Sequence, residues 1–177
     1  RQHPEWAWAL LAADGGEALP PDFERRWSEG SAAERRHLFS LLRKLSPVRA
    51  RELAADTWKQ ERAEQRTAFV EALAAGLHQD DQAFLTGLLS DRSAQVQQAA
   101  ARLLWRLPSS EVAERMRVRA GAHVSYGGTW QIRLPAEPLE PGWERDGVKE
   151  APPHTRQLGK RQWWLLQLLA AVPCATW

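Results

Sequence analysis

The segment from Asp91 to Pro108 constrains the fold more than any other part of the chain. Val96, Ala99, Ala100, Leu103, Leu104 and Leu107 recur at the three- and four-residue intervals that place side chains on one stripe of an α-helix. Asp91 and Ser93 bring oxygen atoms to the unpaired amide protons at its start, and Pro108, which has no amide proton, ends it. The alanines keep the stripe low, so a neighbouring helix can approach closely. The segment therefore predicts an amphipathic helix in a stack of antiparallel helix pairs.

The chain on either side repeats this pattern. Ser31 followed by Glu34 resembles a capping box, after which Leu38, Leu41, Leu42 and Leu45 form a stripe. Ser46-Pro47 restarts the chain into a weaker stripe of Ala50, Leu53, Ala54, Thr57 and Trp58, an antiparallel partner for the first. Phe69, Val70, Leu73 and Leu77 then pair with Phe84, Leu85, Leu88 and Leu89 across a turn at Gly76 and His78-Gln79-Asp80. Ser109-Ser110-Glu111 starts a further helix bearing Val112, Met116 and Val118. Upstream, Pro4 to Leu11 reads as a short helix stopped at Asp14-Gly15-Gly16, and Phe23 to Trp27 adds a turn before Gly30. About three pairs bury a continuous core that no pair buries alone, which predicts a mainly α protein built as an α-α superhelix over residues 1–120.

Periodicity changes after Gly121. His123 to Tyr126 and Thr129 to Leu134 read as two strands across Gly127-Gly128, with Trp130, Ile132 and Leu134 on one face, expected to lie on the helical body. Pro135 to Pro153 is a long connection anchored by Leu139, Trp143 and Val148. A last helix starts near Gly159-Lys160, and Trp163, Trp164, Leu165, Leu166, Leu168 and Leu169 make it apolar around much of its circumference, so it needs cover on several sides. Residues 121–177 thus form a second region, expected to pack on the repeats.

Composition narrows the class. The formal net charge of +2 gives no general attraction to nucleic acid or acidic membranes. Cys174, the single cysteine, excludes an intramolecular disulfide, and a reducing cytoplasm is the expected setting. No signal-sequence pattern opens the chain. The most apolar stretch, Trp163 to Val172, is well short of the roughly 20 residues that cross a bilayer.

The helical stripes resemble HEAT or armadillo repeats. Together with His3-Pro4-Glu5-Trp6, Asp91-Arg92-Ser93, Pro141-Gly142-Trp143 and Trp163-Trp164-Leu165 through Val172-Pro173, they resemble an uncharacterised bacterial family that joins such repeats to a Trp- and Pro-rich tail. The resemblance implies a fold over nearly the whole chain and carries no catalytic residue or cofactor. Gln97 departs from the HEAT pattern, standing where an arginine is common after Val96.

Catalytic chemistry finds no foothold. His3, His37, His78, His123 and His154 are scattered with no His-Glu-x-x-His motif, and Cys174 has no sequential partner. Asp80-Asp81 reads as a helix cap, Gly127-Gly128 as a hairpin turn, and Trp163-Trp164 as core. No metal, cofactor or enzymatic activity is expected, and the least supported class is a repeat-type DNA repair enzyme. The residues singled out for binding are Arg92, Arg102, Trp105, Arg106, Arg115 and Arg119, with Arg117 nearby. Arg102 and Arg106 share a face, and if Arg115 and Arg119 turn toward them they form a phosphate site. Trp105 lies opposite the apolar stripe of its helix, where it either packs on a neighbour or joins a binding face. The leading expectation is a scaffold for a protein or peptide, with the tail as an alternative occupant of its groove. Nucleic-acid binding through the arginines is second.

Overall fold

The computed structural model describes residues 18–154 and 157–173. The proposed helix at Pro4 to Leu11, its stop at Asp14-Gly15-Gly16, and Cys174 lie outside the described residues. The chain divides into two units, 1–77 and 78–177, and the described residues are mainly helical with one two-stranded antiparallel sheet.

In the first unit, α1 spans Phe23–Glu29, α2 Ala32–Leu45, α3 Pro47–Thr57 and α4 Ala63–Ala72. Serine caps set two of these starts as expected: Ser31 accepts from the Glu34 amide, and Ser46 from that of Arg49 ahead of a helix whose first residue is Pro47. The Glu34 carboxylate does not complete a capping box; it takes the Arg26 guanidinium at 2.6 Å.

Helix α2 is the hub, packed against α1, α3 and α4. This explains why its buried face is wider than the predicted stripe. Leu38, Phe39 and Leu42 are buried, whereas Leu41 and Leu45 are only partly covered. Ala50 and Ala54 on α3 are fully buried one turn apart, so small side chains bring α3 close. Phe69 stacks on Phe39 at 4.5 Å and Trp27 on Phe69 at 5.5 Å, which commits α4 to α2. The Phe69 helix is thus held on α2 within the first unit.

The first unit also buries Arg43. Its guanidinium donates to the carbonyls of Ala75 and Gly76 at 2.9 Å, and to those of Leu73 and Pro47 at 3.3 Å. The last carbonyls of a helix have no partners within it, and here an arginine from α2 supplies donors beyond the end of α4. Glu61, also buried, pairs with Arg35 at 2.5 Å.

In the second unit, a 3-10 turn at Gln79–Asp81 leads into α5 (Gln82–Leu88), followed by α6 (Ala94–Trp105), α7 (Glu111–His123), β1 (Val124–Tyr126), β2 (Trp130–Ile132) and α8 (Lys160–Ala170). Successive helices are neighbours: α5 packs on α6, α6 on α7 and α7 on α8. Asp81 does not cap α5 through its side chain; its buried carboxylate instead reaches back to accept from the His78 amide at 2.9 Å, closing a capping box on the 3-10 turn that His78 starts. The stripe of α6 is buried at Val96, Ala100, Leu103 and Leu104, with Leu107 just past its end, but Ala101 on another side is buried too. Asp91, not Ser93, provides the side-chain oxygen at its start, accepting from the Ser93 amide at 2.8 Å.

Helix α7 runs through Gly121 to His123, so the first strand begins at Val124, one residue later than the sequence implies. A helical glycine costs about 1 kcal/mol, which burial of Met116 and Ala120 on the same helix offsets. Val118 faces solvent at 58% exposure. The hairpin pairs Val124 with Ile132 and Tyr126 with Trp130. Its apolar face does not lie on the helices: Val124 is buried, but Ile132 and Tyr126 are 64% exposed and Trp130 52%. The Tyr126 and Trp130 rings lie 5.1 Å apart, so these cross-strand neighbours cover each other.

Helix α8 is buried at Trp163, Trp164, Leu165 and Leu168, with Leu166 exposed. Buried Gln167 grips the connection through both ends of its amide, accepting from the Lys149 amide at 2.7 Å and donating to the Lys149 carbonyl at 2.9 Å. The Trp164 indole donates to the Glu150 carbonyl at 2.8 Å. The periodicity change after Gly121 is thus a change of element type inside one unit.

Candidate functional site

Arg115 and Arg119 are one turn apart on α7 and share a face. What they face was not evident from the sequence. Residues 141–148 form a hydrogen-bonded turn, closed by bonds from the Gly147 amide to the Glu144 carbonyl and from the Val148 amide to the Trp143 carbonyl. This is a Schellman ending, in which the residue past the last turn takes positive φ, and Gly147 does so at +91°. Trp143 and Val148, at the two positions where an apolar contact accompanies this motif, are both buried. A Cβ at Gly147 would come within 2.8 Å of the Ala101 methyl and 3.2 Å of the Trp105 ring, so the missing side chain also lets the turn lie against α6.

That turn delivers Asp146 to α7. Its buried carboxylate takes Arg115 through Nε at 2.9 Å and Nη2 at 2.7 Å, and Arg119 through Nη1 at 2.7 Å. Its carbonyl accepts from the Trp105 indole at 2.7 Å. The Arg119 guanidinium also lies over the Trp143 ring, 5.5 Å from its centroid. Burial is the largest single influence on the Asp146 carboxyl and pushes its pKa up. The hydrogen bonds and charges of Arg115 and Arg119 together outweigh it, and the group sits below the ordinary carboxylate range.

Beside this cluster opens a cleft of about 550 Å³, lined from α5 and its end by Gln82, Thr86, Leu89 and Ser90, and from the start of α7 by Ser110, Glu111 and Val112. Arg115, Arg119, Gly142, Arg145 and Asp146 complete the lining. Ser110 is occupied as the cap of α7, accepting from the Ala113 amide at 3.0 Å and donating to the Leu104 carbonyl at 2.6 Å. Arg115 Nη1 lies 3.5 Å from Glu111, whose side chain is 93% exposed. Arg145 is exposed and makes no hydrogen bond or ion pair among the described residues.

The six residues singled out from the sequence separate here. Arg115 and Arg119 converge on Asp146 and line the cleft. Trp105 is partly buried against the 141–148 turn. Arg92, Arg102 and Arg106 are exposed and have no ion pair among the described residues. Asp146 and Arg145 lie in the stretch Pro135 to Pro153 that the sequence marks as a connection; two arginines one turn apart are the available hint that an acid faces them. A hollow in the first unit is lined by Asp22, Arg25, Arg26, Glu29, Gly30 and Glu34, but pairs such as Arg26–Glu34 and Arg25–Asp22, both at 2.6 Å, neutralise much of it. Among the described residues, no group of three or more His, Cys, Asp or Glu side chains is placed to hold a metal ion. No described helix is long and apolar enough to cross a membrane.

The family of unknown function DUF5691 matches residues 1–177. The chain belongs to DUF5691. No curated protein and no solved structure matches the DUF5691 chain.

Proposed function

We propose that this DUF5691 chain is a non-catalytic, cytoplasmic helical scaffold of HEAT or armadillo-like character, and that it binds a protein or peptide in the cleft between α5 and the start of α7. The observation that carries this reading is the mixed lining: partly covered Leu89 beside Thr86, Ser90 and the arginines of α7. Aliphatic contact with a few polar groups at the edge is how helical scaffolds hold extended or helical segments. In the lining, Ser110 is committed to capping α7 and Asp146 is engaged by two arginines, so neither is free to act as a nucleophile or a base.

The test uses random linear peptides displayed on phage and selected on the full chain, with affinities read by fluorescence anisotropy. Thr86 is exposed on α5, so Thr86→Trp fills the cleft while leaving the core untouched. Selected peptides should lose affinity for Thr86→Trp. Binding that ignores this substitution puts the contact elsewhere.

A second reading, nucleic-acid binding, draws on exposed Arg102 and Arg106, one turn apart and without ion-pair partners among the described residues. It predicts salt-sensitive binding of a single-stranded oligonucleotide that falls in the double variant Arg102→Glu, Arg106→Glu. The engagement of Arg115 and Arg119 by Asp146 weighs against it, because two of the cations it would recruit already share a buried carboxylate.

A further inference from the structure

Resting on the reading of the cleft as a peptide site, we infer that its occupant is a segment with an acidic side chain next to an aliphatic one, the carboxylate being received by Arg145 and the outer amine of Arg115. The charges along the cleft lead to this occupant. Three cations line it, Arg115, Arg119 and Arg145, against two anions, Asp146 and Glu111. Asp146 is buried and satisfied by the first two cations. Glu111 is almost fully exposed and reaches Arg115 only at 3.5 Å, so a better-placed carboxylate can displace it.

One positive charge is left uncompensated, and it belongs to Arg145, on the same turn as Asp146. Arg115 spends Nε and Nη2 on Asp146, which leaves Nη1 as its donor toward the cleft. A guanidinium fork matches a carboxylate in shape and charge, and the Arg115–Asp146 pair shows that match at the cleft wall. Partly covered Leu89, beside the buried Val112, offers aliphatic surface to the neighbouring side chain of the occupant.

The same charge count disfavours a nucleic-acid backbone in the cleft. A phosphate chain needs a run of uncompensated cations, and here there is a single one, with Glu111 in the lining and Glu144 exposed on the turn.

The experiment extends the peptide selection on the full chain with three proteins: wild type, Thr86→Trp and Arg145→Glu. Peptides retained by wild type should be enriched in Asp or Glu beside an aliphatic residue, and should bind Arg145→Glu about tenfold more weakly. Exchanging their acid for lysine should weaken binding to wild type and restore it on Arg145→Glu, an outcome that a general loss of folding does not produce. Peptides blocked by Thr86→Trp but indifferent to Arg145→Glu would overturn the acidic anchor and leave the cleft as a peptide site. Peptides that bind Thr86→Trp as well as wild type, or a selection that yields none, would remove the peptide site and the anchor with it. A fluorescein-labelled single-stranded oligonucleotide whose binding is lost in Thr86→Trp would overturn the choice of a peptide occupant.

Discussion

Arg43 in the first unit and Asp146 in the second are both buried, and the two charges are satisfied in opposite ways. In the first, Arg43 donates to main-chain carbonyls at Pro47, Leu73, Ala75 and Gly76, so a cation ties helix α2 to the end of α4. In the second, Asp146 accepts from the side chains of Arg115 and Arg119, so an anion ties a loop to helix α7. Neither carbonyls nor an arginine change charge at accessible pH, whereas a carboxylate does. The first arrangement is therefore fixed, and the second can be switched off by acid.

The largest effect should come from Arg43→Ala, which leaves several carbonyls without donors and opens a cavity, at a cost of about 3 to 5 kcal/mol. Thermal unfolding measures the loss, and amide exchange in α2 and α4 locates it. Arg43→Met keeps much of the apolar stem, so it separates packing from hydrogen bonding. Stability equal to wild type in Arg43→Met would mean that the carbonyl bonds contribute little, and the contrast between units would collapse.

Asp146→Ala should cost about 3 kcal/mol, the low end for removing one partner of a buried pair because Arg115 is 42% exposed. The acid response sharpens the comparison further. The folded carboxyl of Asp146 lies below its unfolded value of about 3.9, so its contribution is fully present above that pH and is lost as pH falls through the folded value. Urea titrations from pH 5 downward should show a steeper decline for wild type than for Asp146→Asn. Equal slopes would show that the carboxylate does not set the acid sensitivity.

Gly147→Ala should cost about 2 kcal/mol, since its positive φ is strained for a side chain and the new methyl meets Ala101. At the other end of the scale, Gly121→Ala should stabilise by about 0.5 to 1 kcal/mol. It sits inside α7 with open space where a Cβ would go. A destabilised Gly121→Ala, read by melting temperature, would mean that α7 is not helical at that point.

The features legible in the sequence were those set by local chemistry. Serine at 31, 46 and 110 caps helices as their positions imply, and the α6 stripe is buried because 3.6-residue periodicity depends only on the helix. What escaped were contacts between distant segments. An arginine at position 43 looks like a solvated residue until α4 ends beside it. Asp146-Gly147 looks like a turn, which it is, but nothing local says that α7 presents two arginines to it. The hairpin misled for the same reason: alternation identifies an apolar face, yet Tyr126 and Trp130 find each other before they find the helices. Of the cleft, Arg115 and Arg119 were visible as a pair, while Arg145 was not distinguished from the other charges of its loop.

The grip of Gln167 on Lys149 imposes an unequal freedom on its two ends. Because the amide addresses only the peptide group of residue 149, any side chain other than that of proline, which lacks the amide proton, is compatible with the grip, and that position is open to replacement, labelling or charge reversal. Position 167 has no such latitude: glutamate retains the acceptor but surrenders the donor, and asparagine, one methylene shorter, falls short of the peptide group it must meet.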